Sequence, residues 1–474
     1  MFDAVVIVPG IMGSTLSLVH ESGGRQIWGI SSALKNAARI GSGSRIDALR
    51  VRDPELSGEL RRVVPTGLLM LPEWLPGFGG MEPYKRLVEA VTRTVLHPDA
   101  VLPFAYDWRL DVEHNARILA RDACAHLKRW RDHERLSEVR SRRNDDREPR
   151  LVFVAHSMGG LLVRAMSGLA VEQPDTRAVV TLGTPFAGSV KTIGMLATGD
   201  GGPRGMPADA TRQACRSMPG LYDLLPWYRC LLRGDDVVAL GRSDVVGLGG
   251  APQLVREAFE RRARTASGEL PGHRAVVGIG QKTPQSLEFR GSDVVTHAWG
   301  YRRNSQDDLI RESGRLVAEN LDGDGTVFQY SARTAATEGI PVAQHHQSLA
   351  VNRASLHIVQ KVITGATDLD TVLGQALNET PLGLETQDEI RPNQPLEIRI
   401  RSDHTPADIT CAVEDTARRD AVVRRPLVRG RRDEGAFIVR TDLEVAGLYR
   451  VRVSAGNAEV TKLVLVGADP IGDR

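Results

Sequence analysis

The segment Leu151-Val152-Phe153-Val154-Ala155-His156-Ser157-Met158-Gly159-Gly160 constrains this chain more than any other. An apolar run of strand length turns at a single serine into a helical stretch, Leu161 to Leu169. A serine at the apex of so sharp a strand-to-helix turn sits in strained φ/ψ, so the residues two before and two after it must be small. Ala155 and Gly159 meet that demand, with alanine at the first position where glycine is usual. The competing reading is a serine buried between a core strand and a core helix. Strand, elbow and helix occurring together favour Ser157 as a nucleophile.

The flanking rhythm agrees. Ala4 to Val8 is a β-branched run of the kind buried on both faces of a parallel sheet, and it ends in the glycine-bearing turn Pro9 to Ser14. Helical periodicity covers Glu82 to Val95 and Val112 to Arg131, and a further strand is predicted at Ala178 to Leu182. Strands alternating with helices around such an elbow predict an α/β-hydrolase: a doubly wound, mostly parallel sheet. The hydrolase domain is expected over residues 1–378. Residues 189–301, with loop-like Gly199 to Pro203, are expected to form a cap or lid insertion. The charged stretch Lys128 to Arg150 reads as a helix extension followed by a solvent-facing loop. Residues 379–394, polar with several prolines, read as a linker. Short alternating segments over 395–474 predict a small all-β sandwich of immunoglobulin-like type, with docking to a protein partner or tethering as its expected role.

Composition excludes several function classes. The 474 residues are 41% hydrophobic and 25% charged with a net charge of +2, and the basic runs at Arg140 to Arg143 and Arg429 to Arg432 are closely followed by acidic residues, which argues against nucleic-acid binding. Four cysteines, Cys124, Cys215, Cys230 and Cys411, show no CxxC spacing, so neither a zinc site nor a disulfide framework is indicated, and no metal or cofactor is expected. The first residues carry no basic signal region, and no apolar stretch approaches the ~18 residues of a membrane span. A cytoplasmic protein with at most peripheral membrane contact is expected.

Serine is a weak nucleophile at neutral pH and needs a base, which in turn needs an orienting acid, in the chain order Ser, Asp or Glu, His. Leu321-Asp322-Gly323-Asp324-Gly325-Thr326-Val327 offers two carboxylates, and the glycines flanking Asp324 let the backbone turn its carboxylate inward. The loop lacks the further ligands of a calcium site. His346, just ahead of the amphipathic segment Asn352 to Ile363, is the leading base and His345 its rival. His357 reads as packing and His156 as a structural neighbour of the serine. An oxyanion needs two backbone N–H donors: Met158 supplies one, and Ile11 the other, with Phe78 in Pro76-Gly77-Phe78-Gly79-Gly80 as fallback.

The chain resembles the lecithin:cholesterol acyltransferase family, which includes lysosomal phospholipase A2. The resemblance rests on Val6 to Ser14, Ile27-Trp28, Pro76 to Gly79, Tyr106-Asp107-Trp108-Arg109, Ala155 to Gly159, Leu182 to Ser189, Leu224-Leu225-Pro226 and Gly323 to Val327, and covers about residues 4–365. It implies Ser157, Asp324 and His346 as triad, Ile11 and Met158 as oxyanion donors, and Tyr106 to Arg109 as a charge-paired structural brace. The implied chemistry is removal of an acyl chain from a phospholipid-like glycerolipid through an acyl-serine, with release to water or an alcohol. The apolar, proline-broken stretch Leu68 to Leu75 is an expected lipid contact, with Leu69, Trp74 and Phe78 as substrate- or lipid-binding residues. A carboxylesterase for soluble esters, or a silent hydrolase fold used for binding, are the alternatives.

Overall fold

Val5 and Ile7 point to one side of the first strand and Ala4, Val6 and Val8 to the other, and all five are fully buried, so this strand must lie inside a sheet covered on both faces. The computed structural model describes residues 2–19, 25–29, 44–58, 62–70, 84–143, 147–199, 208–291, 293–304, 308–334, 336–366, 382–418, 421–429, 432–433 and 435–467. Its central sheet has six parallel strands: β1 (Ala4–Val8), β2 (Val101–Pro103), β3 (Leu151–His156), β4 (Thr176–Leu182), β5 (Arg274–Ile279) and β6 (Gly339–Ala343). Their spatial order is β2-β1-β3-β4-β5-β6.

Helices cover both faces, as a buried parallel sheet requires. On one side α1 (Lys85–Thr94) and α4 (Arg353–Thr364) bring Leu87, Val91, Ile358 and Val362 against Val5, Ile7 and Val154. On the other, α2 (Val112–Arg131) and α3 (Met158–Gly168) bring Leu119, Ala123 and Leu162 against Val6, Val8 and Phe153. Asp111 caps α2 by accepting the His114 N–H, and basic residues fill its last turn. Strand order reverses between β1 and β3. The loops leaving their C-terminal ends therefore diverge and open a crevice there. The six-stranded parallel sheet with helices on both faces fits the α/β-hydrolase expectation.

Three expectations are corrected. Residues 189–301 are not one insertion, because β5 lies inside them and pairs with both β4 and β6. Its run Ala275-Val276-Val277 is buried at the sheet centre, and two separate excursions, 183–273 and 280–338, flank it. The charged stretch after Lys128 is not a helix extension followed by a loop: α2 stops at Arg131, and Glu134–Arg143 is a separate helix. The expected linker 379–394 also contains two strands, β7 (Gly383–Thr386) and β8 (Glu389–Ile390).

These join β9 (Pro395–Arg401), β10 (Ile409–Asp415), β11 (Ala421–Arg424), β12 (Arg432–Asp433), β13 (Ala436–Asp442), β14 (Gly447–Ala455) and β15 (Ala458–Val466). The strands make two sheets, ordered β7-β9-β13-β12 and β8-β15-β14-β10-β11. Alternate residues such as Ile398, Ile400, Val451 and Val453 fill one core between them, and that core also takes in Ile279 from β5 and Ala343 from β6. All four cysteines are free. Among the described residues no helix is long and apolar enough to cross a membrane.

Candidate active site

Ser157 sits between β3 and α3 with φ 52° and ψ −127°, the positive φ that the elbow requires. Small residues are needed because the backbone after β1 passes close by. A Cβ on Gly159 would lie 2.5 Å from the Val8 carbonyl oxygen, and one on Gly10 would lie 2.8 Å from the Ser157 Cβ. Ser157 is 6% exposed, so it is reached from solvent only narrowly.

His346 follows β6 and opens a short 3-10 turn, Gln347–Ala350. Its Nε2 lies 2.9 Å from the Ser157 Oγ, and its Nδ1 lies 2.7 Å from Asp324 Oδ2. The loop around Asp324 is built to hold that carboxylate. Its Oδ1 accepts the Thr326 and Val327 N–H groups at 2.9 and 2.7 Å, and its backbone carbonyl accepts the His346 N–H at 2.8 Å. Room for the carboxylate comes from two glycines: a Cβ on Gly183 would come within 2.9 Å of Oδ2, and one on Gly278 within 2.3 Å of the Asp324 Cβ. The structure thus brings Ser157, His346 and Asp324 into one hydrogen-bonded chain and turns His345 elsewhere. The arrangement suits proton transfer from a serine hydroxyl to an imidazole held in one tautomer.

The two expected oxyanion donors both neighbour the serine: Met158 follows it directly, and Ile11 follows Gly10, on which a Cβ would lie 3.3 Å from the Ser157 Oγ. The Met158 N–H is the first of α3 and so precedes the intrahelical ladder. Ile11 occupies the turn closed by the Gly13 N–H on the Gly10 carbonyl, and no acceptor for its own N–H is found among the described residues. His156 couples this turn to the base. The Gly10 N–H donates to the Tyr84 hydroxyl at 2.8 Å, the hydroxyl donates to His156 Nδ1 at 2.7 Å, and His156 Nε2 donates to the His346 carbonyl at 3.0 Å. Burial, reinforced by the His346 ring, pushes His156 down to about 3, so it stays neutral as this relay demands. Sequence reading missed the relay, since no local pattern links Tyr84 to a histidine 72 positions along the chain. Tyr84→Phe should leave the Gly10 N–H and His156 Nδ1 unpaired, lowering stability by about 1–3 kcal/mol and esterase kcat by about tenfold; denaturant melts and steady-state kinetics check both.

Tyr106 to Arg109 form a brace beneath the turn. The Tyr106 hydroxyl donates to the Pro9 carbonyl at 3.0 Å, and the Trp108 indole to the Ser14 carbonyl at 3.1 Å. Arg109, 1% exposed, grips Asp107 through Nε and Nη2 and Glu55 through Nη2 at 2.9 Å. Burial pushes the Glu55 carboxyl up, but Arg109 and Arg62 outweigh it and hold the group below its ordinary value. A depressed carboxylate contributes stability that is complete above its unfolded pKa and fades as pH falls through the folded one. Glu55→Gln should cost about 3 kcal/mol at neutral pH by stranding part of the arginine's charge, and the difference from wild type should shrink on acidification, as urea midpoints at several pH values would reveal.

Leu69 does not lie on the surface. It is 1% exposed because β-pairing of Val63–Leu68 carries it inward, where its N–H donates to the Gly13 carbonyl. Only Met70 of the described part of that segment is exposed, at 37%; Trp74 and Phe78 lie outside the described residues. One group among the described residues could hold a metal ion, His97, Asp99 and His133. It lies at the opposite end of the sheet, and His133 Nδ1 accepts the Arg135 N–H, which leaves the Nε2 proton directed at Asp99.

Residues 73–245 match the family model for lecithin:cholesterol acyltransferase. That stretch of the chain is therefore similar to the lecithin:cholesterol acyltransferase family. This family match includes Ser157 and Met158 and stops before Asp324 and His346. No curated protein matches the chain. Solved structures resemble it weakly. A Bacillus licheniformis lipase in its propeptide form shares 11% identity with a TM-score of 0.28, over 97% of this chain and 73% of that one. A superoxide reductase (neelaredoxin) from Ignicoccus hospitalis shares 11% with a TM-score of 0.15, over 20% and 85%. The sulfur carrier protein SoxY from Chlorobium limicola shares 14% with a TM-score of 0.14, over 22% and 99%. At these scores the likenesses carry no functional argument. The lecithin:cholesterol acyltransferase family match supports lipid acyl-ester hydrolysis or acyl transfer in general terms.

Proposed function

We propose that this chain is a serine acyl-ester hydrolase or acyltransferase acting on phospholipid-like glycerolipids. The observation that carries the reading is the continuous Ser157–His346–Asp324 chain, with contacts of 2.9 and 2.7 Å. His346 takes the Ser157 proton as Oγ attacks the ester carbonyl, and Asp324 steadies the imidazolium. The Ile11 and Met158 N–H groups receive the oxyanion. Collapse of the tetrahedral intermediate expels the alcohol, which takes the proton from His346, and leaves an acyl-serine. Water or a second alcohol then repeats the sequence in reverse.

A wholly apolar cavity adjoins the oxyanion turn, lined in part by Ile11, Met12, Trp108, Met195 and Met218. It is a candidate acyl-chain site, and its methionines can re-pack around an irregular chain. Its volume of about 30 Å³ holds a water or two, so an acyl chain must widen it. That observation favours, as second reading, a carboxylesterase for short soluble esters. Membrane contact near Met70 belongs to the first reading only, whereas docking of a partner protein by the C-terminal sheets, read as an immunoglobulin-like sandwich, does not depend on which ester is the substrate. The test is mass spectrometry of phosphatidylcholine vesicles, and of a soluble short-chain ester, after incubation with wild type and Ser157→Ala. Lysolipid plus free fatty acid indicates lipid hydrolysis, a new ester indicates transfer, and turnover of the soluble ester alone selects the second reading. Turnover that persists undiminished in Ser157→Ala rejects both.

A further inference from the structure

We infer that the C-terminal pair of sheets is a working part of the acyl-transfer site, holding the Asp324 and His346 loops in register through Gln281 and His345. The inference rests on the reading of Ser157, His346 and Asp324 as nucleophile, base and orienting acid. Those last two residues follow the part of the sheet least able to fix them. β6 is an edge strand with a neighbour on one side only, and the Asp324 loop comes from an excursion between β5 and β6.

The acid loop is tied to the chain just beyond β5. The Gly280 N–H donates to both oxygens of Asp322 at 2.8 Å, the Gln281 N–H donates to the Gly323 carbonyl at 2.9 Å, and Gln281 pairs with Asp324 in a β-bridge. The Gln281 side chain, 2% exposed, then reaches the other way. Its Nε2 donates to the carbonyls of Leu382 and Ile279 at 3.0 and 3.1 Å, and its Oε1 accepts the Leu384 N–H at 3.0 Å. Both donors and one acceptor site are used, so the amide has one satisfied orientation.

The base loop is tied to the same strand. His345 Nε2 meets the Leu384 carbonyl at 2.8 Å, and since a carbonyl only accepts, the ring nitrogen is the donor. Burial, with Lys462 nearby, pushes this imidazole down to about 4, so it is a neutral tautomer with Nε2–H. One residue further back, Gln344 is fully buried and its Oε1 accepts the Thr461 N–H of β15 at 3.1 Å. Leu384 in β7 therefore hydrogen-bonds the acid-loop anchor through its N–H and the neighbour of the base through its carbonyl. Two glycines let the backbones come this close: a Cβ on Gly383 would lie 2.5 Å from the Gly280 carbonyl oxygen, and one on Gly280 would lie 2.8 Å from that of Leu382. With Ile279 and Ala343, the last residues of β5 and β6, in the C-terminal core, the sheets pack against the ends of these two strands and clamp both loops there. Proton transfer tolerates little displacement, so a shift of about 1 Å in either loop is expected to slow the chemistry markedly.

Gln281 and His345 are thus positioning residues. In the full-length protein, Ser157 is counted by exhaustive fluorophosphonate labelling, and labelling rate, kcat and KM for a soluble ester are expressed per labelled site. His345→Leu and Gln281→Leu should lower labelling rate and kcat per site at least tenfold with KM within twofold. His345→Gln, which keeps a side-chain N–H donor, should recover to within threefold of wild type. Gln281→Asn withdraws the amide by one methylene and reports the same link should a leucine variant not fold. Wild-type rates per labelled site in these variants, with losses explained by a smaller labelled fraction, would overturn the inference. Wild-type protein that is not labelled at Ser157 would instead reject the reading beneath it.

Discussion

Ser157→Ala, His346→Ala and the double variant are each expected to reduce kcat for ester hydrolysis by roughly a millionfold, the double being no worse than either single. The two side chains form one device: the 2.9 Å contact lets the imidazole receive the proton that the hydroxyl must lose. Without the imidazole the hydroxyl is a poor nucleophile, and without the hydroxyl the imidazole has nothing to activate. Residual catalysis would come from the N–H groups of Ile11 and Met158, which neither change touches. Burst kinetics on an activated ester gives the comparison. If the double variant's loss equals the product of the single losses, the residues act independently and the proposed chemistry is wrong.

Asp324→Asn is expected to cost about 10⁴-fold in kcat while leaving the fold intact. Oδ1 accepts the N–H groups of Thr326 and Val327, so an asparagine will keep its carbonyl oxygen there and turn its NH₂ toward His346 Nδ1. That nitrogen must then accept rather than donate, which moves the ring proton to Nε2. The face toward Ser157 loses its lone pair, and no base remains. Circular dichroism should match wild type, and the lost activity should not return when substrate is raised. A loss below about tenfold would mean that the carboxylate does not set the tautomer.

Much of this was legible in residue order. The elbow at Ser157 was marked by strand length, small neighbours and the helix behind it, and Asp324 by its glycines. His346 is favoured over His345 by its place just ahead of the last helix, but the choice is fixed only in space, where His346 meets Ser157 and His345 meets the Leu384 carbonyl. β5 escaped notice although Ala275-Val276-Val277 is an ordinary buried run, since the loop-rich stretches around it masked the return to the sheet. Leu69 looked interfacial from its apolar neighbours, whereas pairing of Val63–Leu68 turns it inward. The relay through Tyr84 and the contacts of Gln281 with Leu382 and Leu384 join positions far apart in the chain, so no window of sequence contains them.

The double engagement of Leu384 has a consequence for biosynthesis. A polypeptide is synthesised from its N-terminus at about 5–20 residues per second, so Ser157, Asp324 and His346 have all been made before the strand that bridges their loops. A nonsense mutation anywhere between Ala350 and Leu382 would spare every reacting group and still yield a product without its clamp. Loss of function in such truncations would be misread as proof that some reacting group lies downstream.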